Sequence, residues 1–308
     1  MATTTKIYEK ELLSTVTQEG TSVSVEKLKF KYIKRRLISK IITKVRDLIF
    51  PLLPIPYRLP WGGWMLLGTC EIARGILYGT YNEQNEINIM KGLLKPGMTV
   101  FDLGAYQGLF TIVAAKTVGD EGRVYAFEPV PNQYRILEMN CRLNRLGNVI
   151  TECMAVSGQK GVTKFFEVDS EQACYSGFRK PAKDVRTSLK EIFVRMTDLD
   201  SYLVERGINK VDFIKIDVEG GERDVIEGTL SLWSSAFPPI VLMEVNDKRT
   251  GCWDYNASDL LKRFRDWEYC FLQPTNQGLI YHEIQERYNF TNILLVPKNR
   301  MDEVRHLT

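Results

Sequence analysis

Three groups of residues in this chain have the types and spacing to do chemistry. The first is Asp102-x-Gly104-x-x-x-Gly108, set between an apolar run and a helical one. The second is Glu128, which closes the run Arg123-Val-Tyr-Ala-Phe-Glu128 twenty residues after Gly108. The third is Lys215-Ile-Asp217-Val-Glu219, which joins another apolar run to a pair of glycines. Glycine at 104 permits a tight turn and lets a ligand lie against bare backbone. Glycine at 108 lets a helix start close to the strand ends, its first N–H groups turned toward the crevice where open α/β sheets bind cofactors.

Two cofactors compete for such a turn. A dinucleotide brings a pyrophosphate, which is met by a full G-x-G-x-x-G and a helix N-terminus. Here Asp102 stands where the first glycine would be. A carboxylate repels a pyrophosphate but attracts an ammonium or a sulfonium. S-Adenosylmethionine carries both cations and no phosphate, so this residue favours it over NAD. Glu128 suits either adenosine cofactor, because an acid at that distance bonds the ribose hydroxyls; the competing reading is an exposed strand-end acid. Pro129 stops the strand, and Pro131 opens the next helix where proline is tolerated. A third strand ending at Cys153-Met-Ala155-Val156 places Ala155 to flank an adenine.

In the third group, strand alternation puts Lys215 and Asp217 on one face and Glu219 at the strand end. Charged pairs at the end of a central strand are unusual for packing alone. In methyl transfer an acceptor oxygen attacks in line. Alignment contributes up to roughly 7–11 kcal/mol, and a base that takes the hydroxyl proton adds about 10²–10⁴-fold. The only histidines are His282, in a polar stretch, and His306, in the tail. A carboxylate, Asp217 or Glu219, is therefore the expected base, with Lys215 holding or tuning it. Glu222 is expected to stabilise the following helix N-terminus by some 0.3–1 kcal/mol. A metal-assisted version would use Asp217, Glu244 and Asn246 as oxygen ligands for Mg²⁺. The favoured reading needs no metal: Glu244 and Asn246 bind acceptor hydroxyls or cap their strand, since oxygen-rich strand ends suit a polar substrate.

The elements that must position these groups alternate. Apolar, β-branched runs at Thr99–Leu103, Arg123–Glu128, Asn148–Val156, Val211–Val218 and Ile240–Val245 predict strands covered on both faces. Between them Leu109–Thr117, Asn132–Leu146, Leu199–Arg206 and Glu222–Trp233 predict helices. The tail adds a helix at Asp259–Trp267 and strands at Tyr269–Leu272 and Asn292–Val296. This alternation predicts an α/β fold with a doubly wound, mostly parallel sheet. No internal repeat interrupts it.

The series Val100-Phe-Asp-Leu-Gly-Ala-Tyr-Gln-Gly108, Gly122-Arg-Val-Tyr-Ala-Phe-Glu-Pro129, Asn144, Ala155-Val-Ser157 and Asp212-Phe-Ile-Lys-Ile-Asp-Val-Glu-Gly220 resembles the FkbM-type methyltransferases. The resemblance runs over roughly residues 75–297, from the Leu-Tyr-Gly-Thr-Tyr lead-in at Leu77 to Thr291-Asn-Ile-Leu-Leu-Val-Pro297. Gly221 stands where the family usually has Ala, and Tyr106-Gln107 where Asn is common. The resemblance implies a Rossmann-like class I methyltransferase fold. It implies cofactor contacts from Asp102, Gly104, Ala105, Tyr106, Gly108, Glu128, Pro129 and Ala155. It also implies O-methylation of a hydroxyl, on a sugar or other small-molecule or glycan acceptor. Two other classes stay open: an NAD-dependent oxidoreductase, disfavoured by Asp102, and a catalytically silent cofactor-binding scaffold.

Composition sets the remaining bounds. The chain has 308 residues, 44% of them hydrophobic, and a net charge of +3, which gives no general attraction to nucleic acid. Residues 1–60 hold 12 Lys/Arg against 5 Asp/Glu and are read as a polar tail with a basic helical extension, ahead of a methyltransferase domain at 61–308. Lys27–Arg46 has nine basic residues and no acidic one, interleaved with apolar residues at roughly helical spacing. It reads either as a peripheral membrane or partner contact or as a helix packed on the domain or another subunit. The second is favoured because amphipathic helices of soluble proteins mostly cover cores. Six scattered cysteines form no metal or disulfide pattern, and neither a signal peptide nor a spanning helix is expected, so a cytoplasmic setting is anticipated. The acceptor is expected under the least patterned segments, Asp169–Leu189 and Asp247–Asn256. There Tyr175, Phe178, Trp253 and Tyr255 either stack on a ring or pack a lid.

Overall fold

The structure is a computed structural model that describes residues 54–68, 70–79, 81, 83–168, 172–181 and 188–308. The basic segment Lys27–Arg46 and part of Asp169–Leu189 lie outside the described residues. The chain forms two units: residues 1–53 with 72–81, and residues 54–71 with 82–308. The helix α1 (Glu71–Tyr78) falls almost wholly in the first.

The second unit begins with a hairpin, β1 (Ile55–Arg58) and β2 (Trp64–Leu67), which straddles the expected 60/61 boundary. Next come α2 (Gln84–Leu93), β3 (Thr99–Leu103), α3 (Leu109–Val118), β4 (Arg123–Phe127), α4 (Pro131–Leu143) and β5 (Val149–Glu152). Then β6 (Ala155–Val156), β7 (Gly161–Val168), β8 (Leu189–Thr197) and α5 (Leu199–Arg206) precede β9 (Phe213–Ile216), α6 (Glu222–Glu227), α7 (Leu230–Trp233) and β10 (Ile240–Val245). The chain closes with α8 (Asp247–Thr250), α9 (Ala257–Asp266), β11 (Tyr269–Thr275), β12 (Gly278–Tyr281) and β13 (Thr291–Pro297), followed by short 3₁₀ turns.

The main sheet has the order β12-β11-β13-β10-β9-β3-β4-β5. Its β10, β9, β3, β4 and β5 run parallel, and β13 lies antiparallel between β10 and β11. The chain winds outward from β3 through β4 to β5, then returns to lay β9 on the other side of β3. The β3/β9 boundary is thus the point where the winding reverses, and open α/β sheets bind ligands outside the strand ends at such a point.

Alternation along these strands decides which residues reach the site. Phe101 and Leu103 of β3 share a core with Ile214 and Ile216 of β9, Val241 and Met243 of β10, and Leu260, Leu261 and Phe264 of α9. With period two, Asp102 and Lys215 must point to the opposite face, where parallel register sets them side by side.

Some elements differ from their expected bounds, for local reasons. The run Asn148–Val156 divides: β5 pairs with β4, whereas Ala155 and Val156 leave the main sheet to pair with β8 in a small sheet of order β6-β8-β7. Glu222–Trp233 breaks into α6 and α7 at Gly228, where a side-chain carbon would lie 2.3 Å from the Ser157 carbonyl oxygen. The β7–β8 hairpin was not anticipated, because its strands mix polar and apolar residues with no glycine turn near the tip to signal pairing.

Candidate cofactor and acceptor site

The glycine turn is locked into the sheet from three sides. Gly104 and Ala105 both donate backbone hydrogen bonds to the Phe127 carbonyl, at 3.1 and 2.9 Å. Gly104 has φ +80, and a Cβ there would sit 1.9 Å from the Asp217 carbonyl oxygen. Its missing side chain therefore permits the close approach of β3 to the end of β9. Gly108 caps α3 in a left-handed conformation against Leu137 of α4. Behind the turn, the fully buried Asn140 accepts from Leu66 N and donates to the Gln107 carbonyl, each at 2.7 Å. Asn144, quoted above for its resemblance alone, clasps Trp64 of β2 through both backbone groups.

Asp102 is 2% exposed. Its Oδ2 accepts from the Thr111 hydroxyl at 2.5 Å, while the buried Oδ1 finds no hydrogen-bond partner among the described residues. Burial pushes its carboxyl above the usual range, with Lys215 pulling the other way. An orphaned buried carboxylate oxygen is costly unless a donor or cation meets it. The ammonium of S-adenosylmethionine is a group of that kind, so the residues present fit this cofactor.

Glu128 is 5% exposed and not the solvated strand-end acid of the competing reading. Its Oε2 accepts from Tyr106 N and its Oε1 from Val130 N, both at 2.9 Å. Burial lifts it to about 7, against the lowering effect of those two bonds. One lone pair on each oxygen remains for a ribose hydroxyl. Pro129 directs the chain into α4, and Ala155 packs with Val130, Phe165 and Val194 beside this acid. Tyr106 holds φ +50 and buries its hydroxyl, whose pKa burial drives far up.

At the end of β9, Lys215 Nζ donates to Asp217 Oδ2 at 2.8 Å and lies 4.8 Å from the centre of the Phe110 ring. The lysine side chain is 9% exposed and the aspartate 25%, so the carboxylate is the part of the pair open to the crevice. Burial disfavours the Lys215 charge, yet Asp217, Asp102 and Glu83 together hold its pKa above the ordinary value. Glu219 follows at φ +55, a conformation uncommon for a residue with a side chain. Its Oε2 pairs with Arg249 Nε at 3.1 Å. Burial and the nearby Glu244 and Asp217 raise its pKa well above the usual range, with Arg249 opposing.

Glu222 does what its helix position suggested and more. Its Oε1 accepts from Gly220 N and Val218 N, at 3.1 and 3.3 Å, fixing the turn from the front of α6. Burial takes it to about 7. The Tyr255 hydroxyl donates to the Gly220 carbonyl at 2.6 Å and lies 3.2 Å from Glu222 Oε2. Trp253 packs against Gly220 and stands edge-on to Phe178. Tyr255 and Trp253 thus brace the turn, which is the packing alternative for these aromatics.

Glu244 reaches about 8, through burial first and then Asp217. Its Oε1 accepts from Asn246 Nδ2 at 3.0 Å, and Asn246 Oδ1 accepts from Lys248 N at 3.1 Å. Asn246 is therefore the cap of α8, and its oxygen is engaged there. Among the described residues no three His, Cys, Asp or Glu side chains could hold a metal ion together. His282 bonds the Tyr288 hydroxyl at 2.8 Å, and His306 the Gly92 carbonyl at 3.1 Å, in a 3₁₀ turn rather than a loose tail.

Sequence reasoning missed Arg249, Glu83 and Thr111. Arg249 was legible only as one of several charges after β10, and Thr111 as one helix residue among apolar ones; the third turn position after Gly108 was the available signal for the latter. All six cysteines are free thiols. No helix among the described residues is long and apolar enough to cross a membrane.

A doubly wound sheet with an acid-led glycine turn at its point of reversal is the architecture of the class I S-adenosylmethionine-dependent methyltransferases. Within that class the chain belongs to the family of the methyltransferase FkbM domain, which residues 102–271 match. It is 32% identical to the 31-O-demethyl-FK506 methyltransferase FkbM of Streptomyces tacrolimicus, over 44% of this chain and 60% of that protein. It is 28% identical to the AMB antimetabolite synthetase AmbE of Pseudomonas aeruginosa, over 56% of this chain and 10% of that one. The chain thus spans less than two thirds of either relative. A solved S-adenosylmethionine-dependent O-methyltransferase from Thermotoga maritima superposes with a TM-score of 0.38 at 14% identity, over 80% of this chain and 78% of that chain.

Proposed function

We propose that this protein is an O-methyltransferase that uses S-adenosylmethionine to methylate a hydroxyl of a sugar or other small-molecule or glycan acceptor. The observation that carries the reading is the 1.9 Å approach of a notional Gly104 side chain to the Asp217 carbonyl. It fixes the acid-bearing end of β9 against the cofactor turn. The 31-O-demethyl-FK506 methyltransferase relative is named for an oxygen acceptor, which supports oxygen as the nucleophile here.

In this reading Asp102, the Gly104–Gly108 backbone, Tyr106 and Glu128 hold the cofactor, with Pro129 and Ala155 beside its adenosine. When bound, S-adenosylmethionine supplies an electrophilic methyl group. Asp217, hydrogen-bonded by Lys215 and open to the crevice, accepts the acceptor hydroxyl's proton. Glu219 is the second candidate, but it is engaged by Arg249 and burial favours its protonated form. Glu244 and Asn246 keep the strand end polar around the acceptor, with no metal required.

Calorimetry with S-adenosylmethionine and NAD tests the cofactor, and release of S-adenosylhomocysteine across sugars and small hydroxyl compounds tests the reaction. Binding of S-adenosylmethionine with turnover on a hydroxyl is expected. Binding of NAD alone would overturn the cofactor. Cofactor binding with no acceptor turned over, across the panel, would favour a silent scaffold.

A further inference from the structure

Beyond the Lys215–Asp217 pair, at the same end of the sheet, lies a cleft with about 230 Å³ of empty space. Arg179, Lys180, Arg249, Glu219 and Tyr175 stand in its walls. That space includes open solvent, so the cleft is a shallow depression with room for no more than one small group at its mouth. It borders the proposed reaction site directly, because Glu219 belongs to its wall and a side-chain carbon placed on Gly177, in the segment carrying Arg179, would lie 3.6 Å from the Glu219 carbonyl oxygen.

The charges in this wall do not cancel. Among the described residues of the wall, three cations face one carboxylate, an excess of two positive charges with Glu219 ionised and of three with it protonated. Each cation is held in place by a ring. Arg249 lies 4.1 Å from the Tyr175 centroid, Arg179 5.3 Å from Trp253 and Lys180 5.8 Å from Phe166. Arg249 is only 9% exposed, whereas Arg179 and Lys180 are exposed at the mouth. Asp224 also shares the field of Arg179 and Arg223, but from outside the cleft wall. A cleft whose walls carry an excess of one sign of charge concentrates ions of the other sign. A guanidinium beside an ammonium is the donor set that oxyanions take up. A neutral acceptor filling this cleft would strip water from the cations and return nothing.

We infer that the methyl acceptor is acidic, with a carboxylate or a phosphate-type group that docks between Arg249, Arg179 and Lys180. That the bound anion is a methyl acceptor rests on the proposed methyltransferase function; the anion site itself does not.

The full-length protein is titrated by calorimetry with inorganic phosphate, with acetate and with neutral methyl glucoside, at low and at high sodium chloride. The same titrations use an Arg179→Gln/Lys180→Gln variant and, as control, Lys262→Gln on the exposed side of α9. At least one anion is expected to bind about tenfold more tightly than methyl glucoside. Removing the two charges should weaken it at least fivefold, salt should weaken it further, and Lys262→Gln should change nothing. Phosphate binding without acetate binding marks a phosphate-type group, and the converse a carboxylate. Anion binding no tighter than methyl glucoside, or unaffected by the double substitution, overturns the inference. S-Adenosylmethionine affinity is measured on the same samples. Its absence would sink the methyltransferase reading whatever the anions do, and its persistence in the double variant shows that the fold is intact.

Discussion

Replacing Gly104 by alanine sets two costs on one residue. The backbone there has φ +80, and an L-residue in that left-handed region loses roughly 1–2 kcal/mol. The new methyl would also start 1.9 Å from the Asp217 carbonyl oxygen, where ordinary contact begins near 3.4 Å. The turn and the end of β9 must separate by about 1.5 Å, and overpacking of that kind costs typically 1–3 kcal/mol. Together these amount to about 2–5 kcal/mol, a large part of a typical 5–15 kcal/mol stability. Gly97→Ala isolates the first cost, since Gly97 has φ +85 with nothing within 4 Å of its notional Cβ. Urea unfolding of both variants, with slopes matched to the parent, should therefore place Gly104→Ala at least 1 kcal/mol below Gly97→Ala. Calorimetry should show weaker S-adenosylmethionine binding in the first variant alone. Equal midpoints for the two variants would mean that the cofactor turn is not pinned on β9, and the placement of Asp217 beside it would fail.

Other perturbations read different parts of the site. Burial lifts Glu128 to about 7 from an ordinary 4.5, so below the lower value both states are protonated and its contribution to stability is fully present. As pH rises toward and through 7 the unfolded chain gives up its proton first and stability falls. Glu128→Gln removes this slope, and urea unfolding at pH 4.5 and 8 should show the variant gaining on the parent by at most about 3 kcal/mol; parallel pH profiles would refute the burial argument. Asp217→Asn should cut methyl release by about 10²–10⁴-fold with S-adenosylmethionine affinity nearly unchanged, and full activity would remove Asp217 as the base. Gly220→Ala should destabilise, because φ is +98 and the Cβ would meet Trp253 at 2.7 Å. Gly221→Ala has φ −83 and only ordinary contacts, and should raise stability by about 0.4–1 kcal/mol in thermal melts. EDTA should leave methyl transfer intact; loss restored by Mg²⁺ would revive the Asp217, Glu244 and Asn246 alternative.

Much of the fold was legible because its signals are local. The run Thr99–Leu103 is apolar, ends in an acid-led glycine turn and opens a helix, and the structure has β3 and α3 within a residue of the expected bounds. Period-two alternation placed Lys215 and Asp217 on one face, and they are in contact. Where a segment divides its allegiance between two sheets, as Asn148–Val156 does, local pattern had no means to show it. The β7–β8 hairpin escaped for a related reason: its strands are recognised by their pairing with one another, across the long segment of residues 169–188 that joins them.

Residue types and their spacing were enough to define the kind of site: a carboxylate in place of a phosphate-facing glycine, an acid one strand later, and a Lys–Asp–Glu strand end. These follow from residue type and spacing along a single chain segment. How these pieces act on one another followed from the packed fold. It turned Gly104 toward Asp217, buried Glu128 under two backbone N–H donors, coupled Glu219 to Arg249 thirty residues on, and set Arg179 and Lys180 at the mouth of the same cleft. The reason is physical. Desolvation and Coulomb interaction depend on distance through space, and neither is fixed until the sheet has brought the ends of β3 and β9 together.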